Sequence, residues 1–268
     1  MNELVIGDTE FALFARMMKQ LTGIHFAPIK KAMVAGRLRS LFKRCEIDSF
    51  PQFIERLDLR DPAFIQQTID LITTNETYFF RESEQFEFIA RDWVAAYQPR
   101  QALRIWSAAC SSGQEVYSLA MAFAQFYDFA KFSILGTDLS SRVLHTARQG
   151  VYPLEQAQLI PAAYLKKYCL RGINQHQGTF GFCPELRQRL EFRSANLLDL
   201  PNSIGRFDII FLRNVMIYFE PEIKQQVVLN ILQHLNPGGL LVVGNAESLN
   251  GINAPVKPLR PALYTHPN

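Results

Sequence analysis

The sequence predicts an α/β protein: a doubly wound, mostly parallel sheet, preceded by a small all-helical domain and carrying a small β subdomain insertion. Two observations predict it. From about residue 100, short apolar runs alternate with helical segments, as in strand–helix units that stack into a parallel sheet with the ligand at the carboxyl ends of its strands. The first seventy or so residues show helical spacing only, offer no strand to a sheet, and so form a domain of their own.

The elements follow in order. Residues 9–21 place Phe11, Leu13, Phe14, Met17, Met18 and Leu21 at helical spacing, and Gly23 stops the run. A second helix starts near Pro28, a residue suited to a first turn, and runs to about Cys45 with Met33, Val34, Leu38, Leu41 and Phe42 as its stripe. Shorter helices are expected at 50–57 and 62–71. The α/β pattern then opens with a strand at 102–108, a helix at 113–126 and a strand at 132–137 that ends at Asp138. A helix at 140–148 is expected to be capped by the hydroxyl of Ser140. The continuous apolar run 207–212 reads as a central parallel strand. A helix at 221–235 carries Ile223, Val227, Ile231 and Leu235 on one face, Asn236-Pro237-Gly238-Gly239 ends it, and 240–244 is a strand. Between them, 149–191 breaks the pattern: a helix near 156–168, then Gly172, Gly178 and Gly181 among short alternating residues, read as a hairpin-rich insertion. The resulting division is 1–72 helical domain, 73–90 linker, and 91–268 α/β domain with the insertion at about 150–191.

Bulk properties exclude several functions. Apolar stretches such as 209–219 are cut by charges, here Arg213, and none approaches the roughly 18 residues of a membrane span. The start MNELVIGDTE lacks a basic segment followed by an apolar run, so a cytoplasmic location is expected. Cys45, Cys110, Cys169 and Cys183 lie far apart without a CxxC pair or a nearby histidine, which favours free thiols over a metal site. A net charge of +3 without a broad basic, aromatic-lined segment speaks against nucleic acid as a partner.

Four segments carry polar chemistry. In WSAACSSG (106–113) a strand runs into small residues and one glycine before a helix, which lets a ligand approach the backbone and the free N–H groups of the helix start. G-x-G-x-x-G is absent, which argues against NAD or FAD. Asp138, about 25 residues after that turn, stands where an acid accepts from ribose hydroxyls, although a helix cap explains it equally well taken alone. TTNETYFFRE (73–82), at the domain junction, combines polar side chains, three aromatics and an arginine able to hold a carboxylate. It is either a ligand site or a linker that cements two domains. FLRNVMIYF (211–219) sets Asn214 and Tyr218 in an apolar run at the sheet edge, Tyr218 reading as a core tyrosine or a site residue.

Taken together, NETYFFRE, WSAACSSGQEVYSLA, LGTDLSSRVLHTARQGVY, ANLLDL and FDIIFLRNVMIYF, in this order and spacing, resemble the chemotaxis receptor glutamate methyltransferase (CheR) family over nearly the whole chain. The resemblance implies a class I, Rossmann-like methyltransferase fold that binds S-adenosylmethionine and releases S-adenosylhomocysteine, with no metal. By position, Asn75, Thr77, Arg81, Glu115, Asp138, Asn196, Leu197, Asn214 and Val215 match the family's cofactor contacts. Asp138 would take the ribose, Arg81 and Glu115 the amino-acid end, and Asn196 and Leu197 would border the adenine. Tyr218 and Arg81 would stand nearest the chemistry. Two positions depart from the family pattern: Gln114 precedes Glu115 where an acidic pair is usual, and Asn245 stands where histidine is common.

The implied reaction methylates glutamates of methyl-accepting chemotaxis receptors for sensory adaptation. A carboxylate with an ordinary pKa of about 4.3 is already ionised at neutral pH, so no general base is required. Between Lys30 and Arg44 lie six basic residues and no acidic one, and Lys30, Arg37 and Arg44 recur every seven positions. Charge alone makes this a solvated face; the resemblance makes it a docking surface for the helical bundle of the receptor. The loop Arg171-Gly172…Gly178 looks like the version that holds a receptor's C-terminal tail, added as an edge strand. The chain is expected to act as a monomer. The competing readings are a methyltransferase for another substrate, and a cofactor-binding regulatory module on a chemosensory signalling protein that does not turn over.

Overall fold

The structure is a computed structural model that describes residues 6–99 and 101–267; the first five residues, on which part of the leader argument rests, lie outside them. Four helices open the chain: α1 (Asp8–Thr22), α2 (Lys31–Arg44, entered through a 3₁₀ turn at Pro28–Lys30), α3 (Phe50–Asp58) and α4 (Pro62–Ile72). Their apolar faces meet in a phenylalanine-rich core in which Phe14, Phe50, Phe53 and Phe64 are each at most 1% exposed. Phe14 meets Phe50 edge-on with centroids 5.9 Å apart, the offset geometry that aromatic quadrupoles favour.

After an extended strap at 73–82 come α5 (Glu84–Phe88), a π turn at Ile89–Trp93 and α6 (Val94–Tyr97). The α/β domain follows with β1 (Leu103–Ala108), α7 (Gln114–Phe123), β2 (Phe132–Asp138) and α8 (Ser141–Gln149). The insertion holds β3 (Tyr152–Pro153), α9 (Ala162–Tyr168), β4 (Cys169–Arg171), β5 (Thr179–Phe182) and α10 (Pro184–Arg187). The chain returns through β6 (Leu190–Ser194), β7 (Phe207–Leu212), α11 (Pro221–Leu232), β8 (Leu235–Val243), β9 (Lys257–Arg260) and β10 (Leu263–Thr265).

The main sheet has seven strands in the order β6-β2-β1-β7-β8-β10-β9. Its first five strands pair in parallel and the β9–β10 hairpin closes one side antiparallel. The strand order reverses between β1 and β7, which puts the crevice expected of a doubly wound sheet at the carboxyl ends of those two strands. A separate three-stranded antiparallel sheet, β3-β5-β4, forms the insertion. Two apolar layers, one on each face of the main sheet, bury β7 completely and β1 except for Arg104.

Five local expectations are corrected. Ser140 does not cap α8: its hydroxyl donates to Oδ1 of Asp70 on α4, 2.9 Å away, so the demands of the domain interface override the local cap. Helix α11 stops at Leu232, three residues early, because His234 and Leu235 are taken by the sheet: the Phe207 amide donates to His234 O, and Leu235 pairs with Phe207. Asn236–Gly239 is therefore not a helix stop but a bulge inside β8, which lets Phe207 pair with Leu235 and Ile209 with Leu240. In the insertion, Pro161 separates a 3₁₀ turn at Leu154–Leu159 from α9, where a single helix was expected. Leu190 and Glu191, read as the end of the insertion, open β6 of the main sheet.

Asp70 ties the two domains. Its carboxylate accepts from the Ser140 and Ser141 hydroxyls, the Gln66 amide and the Arg142 N–H at the start of α8. Burial alone would raise its pKa, but those hydrogen bonds outweigh it and hold the carboxyl below its ordinary value.

Candidate functional site

One deep cleft opens at the carboxyl ends of β1, β2, β6 and β7, roofed by the strap and by the start of the helical domain. It contains about 1270 Å³ of space, its open mouth included.

The floor is the turn after β1. Gly113 takes φ +94°, and a Cβ there would come within 2.9 Å of Ala147, so the turn into α7 needs glycine. Ser111 donates its N–H to Oδ2 of Asp138 at 2.8 Å, and the Ser140 N–H donates to Oδ1 at 2.9 Å. Asp138 is 8% exposed at the end of β2, and despite these donors its burial pushes the carboxyl above the ordinary range. Cys110 lines the same floor, but burial, with Asp138 and Glu115 nearby, raises its thiol well above the usual value. It is no nucleophile at neutral pH.

The strap forms one wall and is bonded to the α/β domain along its length. Ser111 Oγ donates to Asn75 O at 2.8 Å, and the Phe80 N–H donates to Ser118 Oγ at 2.9 Å. Arg81 lines the cleft, its Nη1 donating to Glu76 O at 3.1 Å. The opposite wall is the loop after β7, and the two are joined by a buried ionic cluster. Arg213, its side chain 1% exposed, donates to Glu115 Oε2 at 2.9 Å, to Glu82 Oε2 at 3.1 Å and to Arg81 O at 2.8 Å. Asn214 donates its amide to Glu82 Oε1, while Glu247 accepts the N–H groups of Asn214, Met216 and Gly244 at 2.7–2.9 Å. Gly244 permits this closure, since a Cβ would stand 2.8 Å from both Asn214 and Glu247. Five non-glycine residues around the cleft, Phe80, Glu82, Ala109, Ser111 and Asn214, have φ between +48° and +68°. Each costs of order 1–3 kcal/mol, and such strain persists where neighbouring bonds over-determine the backbone, commonly at functional sites.

At the mouth stands Tyr218. Burial raises its pKa first, Glu76 adds to that, and Arg81 and Arg37 oppose it, so the phenol stays protonated and able to donate at neutral pH. Lys30 Nζ lies 6.0 Å from the centre of its ring. The helical domain grips this loop directly: His25 N–H donates to Tyr218 O, Ile24 bridges to Phe219, and Lys19 pairs with Glu220.

Comparison with known proteins identifies the architecture. Residues 9–73 match the model of the CheR methyltransferase all-alpha domain, and residues 75–262 match that of the CheR methyltransferase SAM binding domain. The chain belongs to the CheR methyltransferase family. Among its CheR relatives, chemotaxis protein methyltransferase Cher2 of Pseudomonas putida is 36% identical over 257 residues, covering 92% of both chains. Chemotaxis protein methyltransferase 1 of Pseudomonas aeruginosa is 36% identical over 256 residues (91% of this chain, 92% of the relative), and the Escherichia coli chemotaxis protein methyltransferase is 32% identical over 253 residues (93% and 87%). The sheet is that of a class I methyltransferase, and S-adenosylmethionine is its cofactor.

In this CheR the cleft brings together Asn75, Thr77, Arg81, Glu115, Asp138, Asn196, Leu197, Asn214, Val215 and Tyr218, with Lys30 at the rim. Arg37 and Arg44 lie outside it: Arg37 bonds the back of the strap, and Arg44 donates to Gln67. Asn196 already has protein partners, donating to Leu21 O and accepting from the Leu198 N–H. Gln114 turns away toward Gln156, so the missing second acid removes nothing from the cleft. Asn245 is used through its backbone, which donates to Glu82. Sequence reasoning passed over Arg213, Glu82, Glu247 and Ser111. The available signal was Arg213 itself, a charge in an apolar strand run that must find a carboxylate when buried.

Proposed function

We propose that this CheR transfers the methyl group of S-adenosylmethionine to glutamate side chains of methyl-accepting chemotaxis receptors, giving glutamyl methyl esters and S-adenosylhomocysteine for sensory adaptation. The observation that carries this reading is the single cleft in which the family's cofactor positions lie beside a protonated tyrosine and a lysine at one mouth. The relatives' names, chemotaxis protein methyltransferases, support the substrate class.

Held in the cleft, the cofactor supplies a methyl group on a sulfonium, which a carboxylate oxygen accepts while the carbon–sulfur electron pair stays on sulfur. Asp138 is placed to accept from ribose hydroxyls, Arg81 and Glu115 to hold the amino-acid end, and Asn196 and Leu197 to border the base. At the base of the cleft the carboxylates of Glu82 and Glu115 are matched by the guanidinium groups of Arg213 and Arg81, charges of both signs that suit the zwitterionic amino-acid end of the cofactor. The chain's own task is to align an already ionised glutamate; orientation of this kind contributes on the order of 7–11 kcal/mol. Tyr218 orients the incoming carboxylate by donating its hydroxyl proton in a hydrogen bond, and Lys30 attracts that carboxylate to the mouth. Lys30, with the exposed Lys43 and Arg44, presents positive charge to an acidic receptor helix.

Incubation with methyl-labelled S-adenosylmethionine and receptor-containing membranes tests the reading: base-labile label on the receptor is expected. Cofactor binding without transfer would instead identify a regulatory module. Tyr218→Phe is expected to lower kcat about 10–100-fold, the range of a lost charge-assisted hydrogen bond in the transition state, with S-adenosylhomocysteine affinity unchanged. Wild-type turnover in that variant would remove the orienting role.

The insertion offers a second contact. β4 is an edge of its small sheet, with Leu170 and Ile173 exposed at 54% and 70%. An extended receptor C-terminal tail would add there as a strand. Titration with receptor C-terminal peptides should release heat; silence across all peptides would remove this contact.

A further inference from the structure

Arg37 sits mid-helix on α2, in the basic stripe that suggests receptor docking, yet its guanidinium is bonded inward. Nη1 donates to Ile72 O at 2.6 Å and lies 3.2 Å from both Thr73 O and Thr74 Oγ1. Ile72 is the last residue of α4 and Thr73 its cap, already extended at φ −66°, ψ 144°. The final carbonyls of a helix lack partners within it, and no glycine turns this chain back to satisfy them. Arg37 supplies the missing donor and places a cation at the negative end of the helix.

What it fixes is the first part of the strap. Asn75 Nδ2 donates to Thr73 Oγ1 at 2.9 Å, Ser111 Oγ donates to Asn75 O at 2.8 Å, and Ser111 N donates to Asp138 Oδ2 at 2.8 Å. A continuous run of hydrogen bonds thus joins Arg37 to the carboxylate assigned to the ribose. The two faces of the strap agree with this: residues Thr73 to Glu76 line the cofactor cleft in front, and Arg37 lies with them around a second hollow behind.

We propose that Arg37 is a positioning residue for the cofactor: it holds the strap in place from the helical domain, so cofactor affinity depends on it even without a receptor. This rests on the reading that the cleft holds S-adenosylmethionine, and the test separates the two.

The experiment is calorimetric titration of the full chain with S-adenosylhomocysteine, no receptor present, for the wild type, Arg37→Lys and Arg39→Gln. Lysine keeps the charge, but its side chain is one bond shorter, so its nitrogen stops short of the point where Nη1 meets Ile72 O, Thr73 O and Thr74 Oγ1. Arg37→Lys should weaken binding about tenfold or more, as for loss of charge-assisted hydrogen bonds. Arg39→Gln, at an exposed position two residues further along the same helix, should bind as the wild type does. Wild-type affinity in Arg37→Lys, with only the receptor KM raised, would make Arg37 a docking residue and overturn the proposal. A wild type that fails to bind would sink the cofactor reading instead. Should Arg37→Lys melt early, Thr74→Ala removes one acceptor and leaves α2 intact; a loss of about threefold is expected, and none would overturn the proposal.

Discussion

Arg213→Gln is expected to melt roughly 10 °C below the wild type and to lose methyl transfer. Removing one partner from a buried ionic group costs about 3–5 kcal/mol, because the remaining charges lose their countercharge, and in a chain of this size each kcal/mol is worth about 2–4 °C. Here Glu82 and Glu115 would be left facing each other across the base of the cleft, and the Arg81 and Glu82 carbonyls would lose their donor. The pH dependence is the sharper test. Burial alone would raise the Glu82 pKa, but the Asn245 N–H, the Asn214 amide and Arg213 hold it below its ordinary 4.5. A depressed carboxylate stabilises the fold above its unfolded pKa, and that contribution is lost as pH falls through the folded value. The wild type therefore keeps it throughout the neutral and mildly acidic range. Without the arginine the Asn245 N–H and the Asn214 amide remain but the countercharge is gone, so the folded pKa rises and the melting-temperature gap to the wild type should narrow between pH 7.5 and pH 5.5. Thermal scans at those two values decide the matter: a variant matching the wild type at both would show that the cluster contributes nothing.

Asp138→Ala should weaken S-adenosylhomocysteine binding on the order of 100-fold or more, since hydrogen bonds to a charged group contribute about 1.5–3 kcal/mol each and a ribose offers two. The variant leaves the Ser111 N–H beside a cleft that water can enter, whereas the buried Ser140 N–H loses its acceptor, so a modest loss of stability should accompany the loss of affinity. Burial raises the Asp138 pKa, so protonation begins at a higher pH than for a surface aspartate and removes an acceptor. Affinity in the wild type should thus fall on acidification. Calorimetry across mildly acidic pH measures both; an Asp138→Ala variant that binds within threefold of the wild type would end the assignment to the ribose.

The parts of this molecule that were readable from sequence are those set by local pattern. Helical spacing located α1 to α4, and the apolar runs located β1, β2 and β7 within a residue of their ends. Apart from the local break at Pro161, the main misreadings occur where a distant partner outcompetes a local preference. Ser140 would cap its own helix were Asp70 not within reach. Leu235 continues the apolar face of α11 but pairs in the sheet, since a strand hydrogen-bonded to β7 outweighs one more helical turn. β6 was obscured because Leu190–Ser194 is a short strand at the sheet edge that follows directly on an insertion, into which its first two residues were read. In the site the same division holds. Polar residues in recognisable blocks pointed to the cleft, whereas Glu247 acts only through three backbone N–H groups contributed by two separate loops, which no spacing rule encodes.

The backbone stitch between the turn after α1 and the tyrosine-bearing loop has a consequence for how such enzymes change partners. A helical domain exchanged from a relative, to redirect which membrane receptor is modified, would bring along the main-chain groups at positions 24 and 25 that hold residues 218 and 219. With receptor docking on the helical domain, as proposed above, choice of receptor and rate of chemistry would share one covalent segment, and hybrids assembled at the strap should trade one against the other unless that seam is transplanted intact.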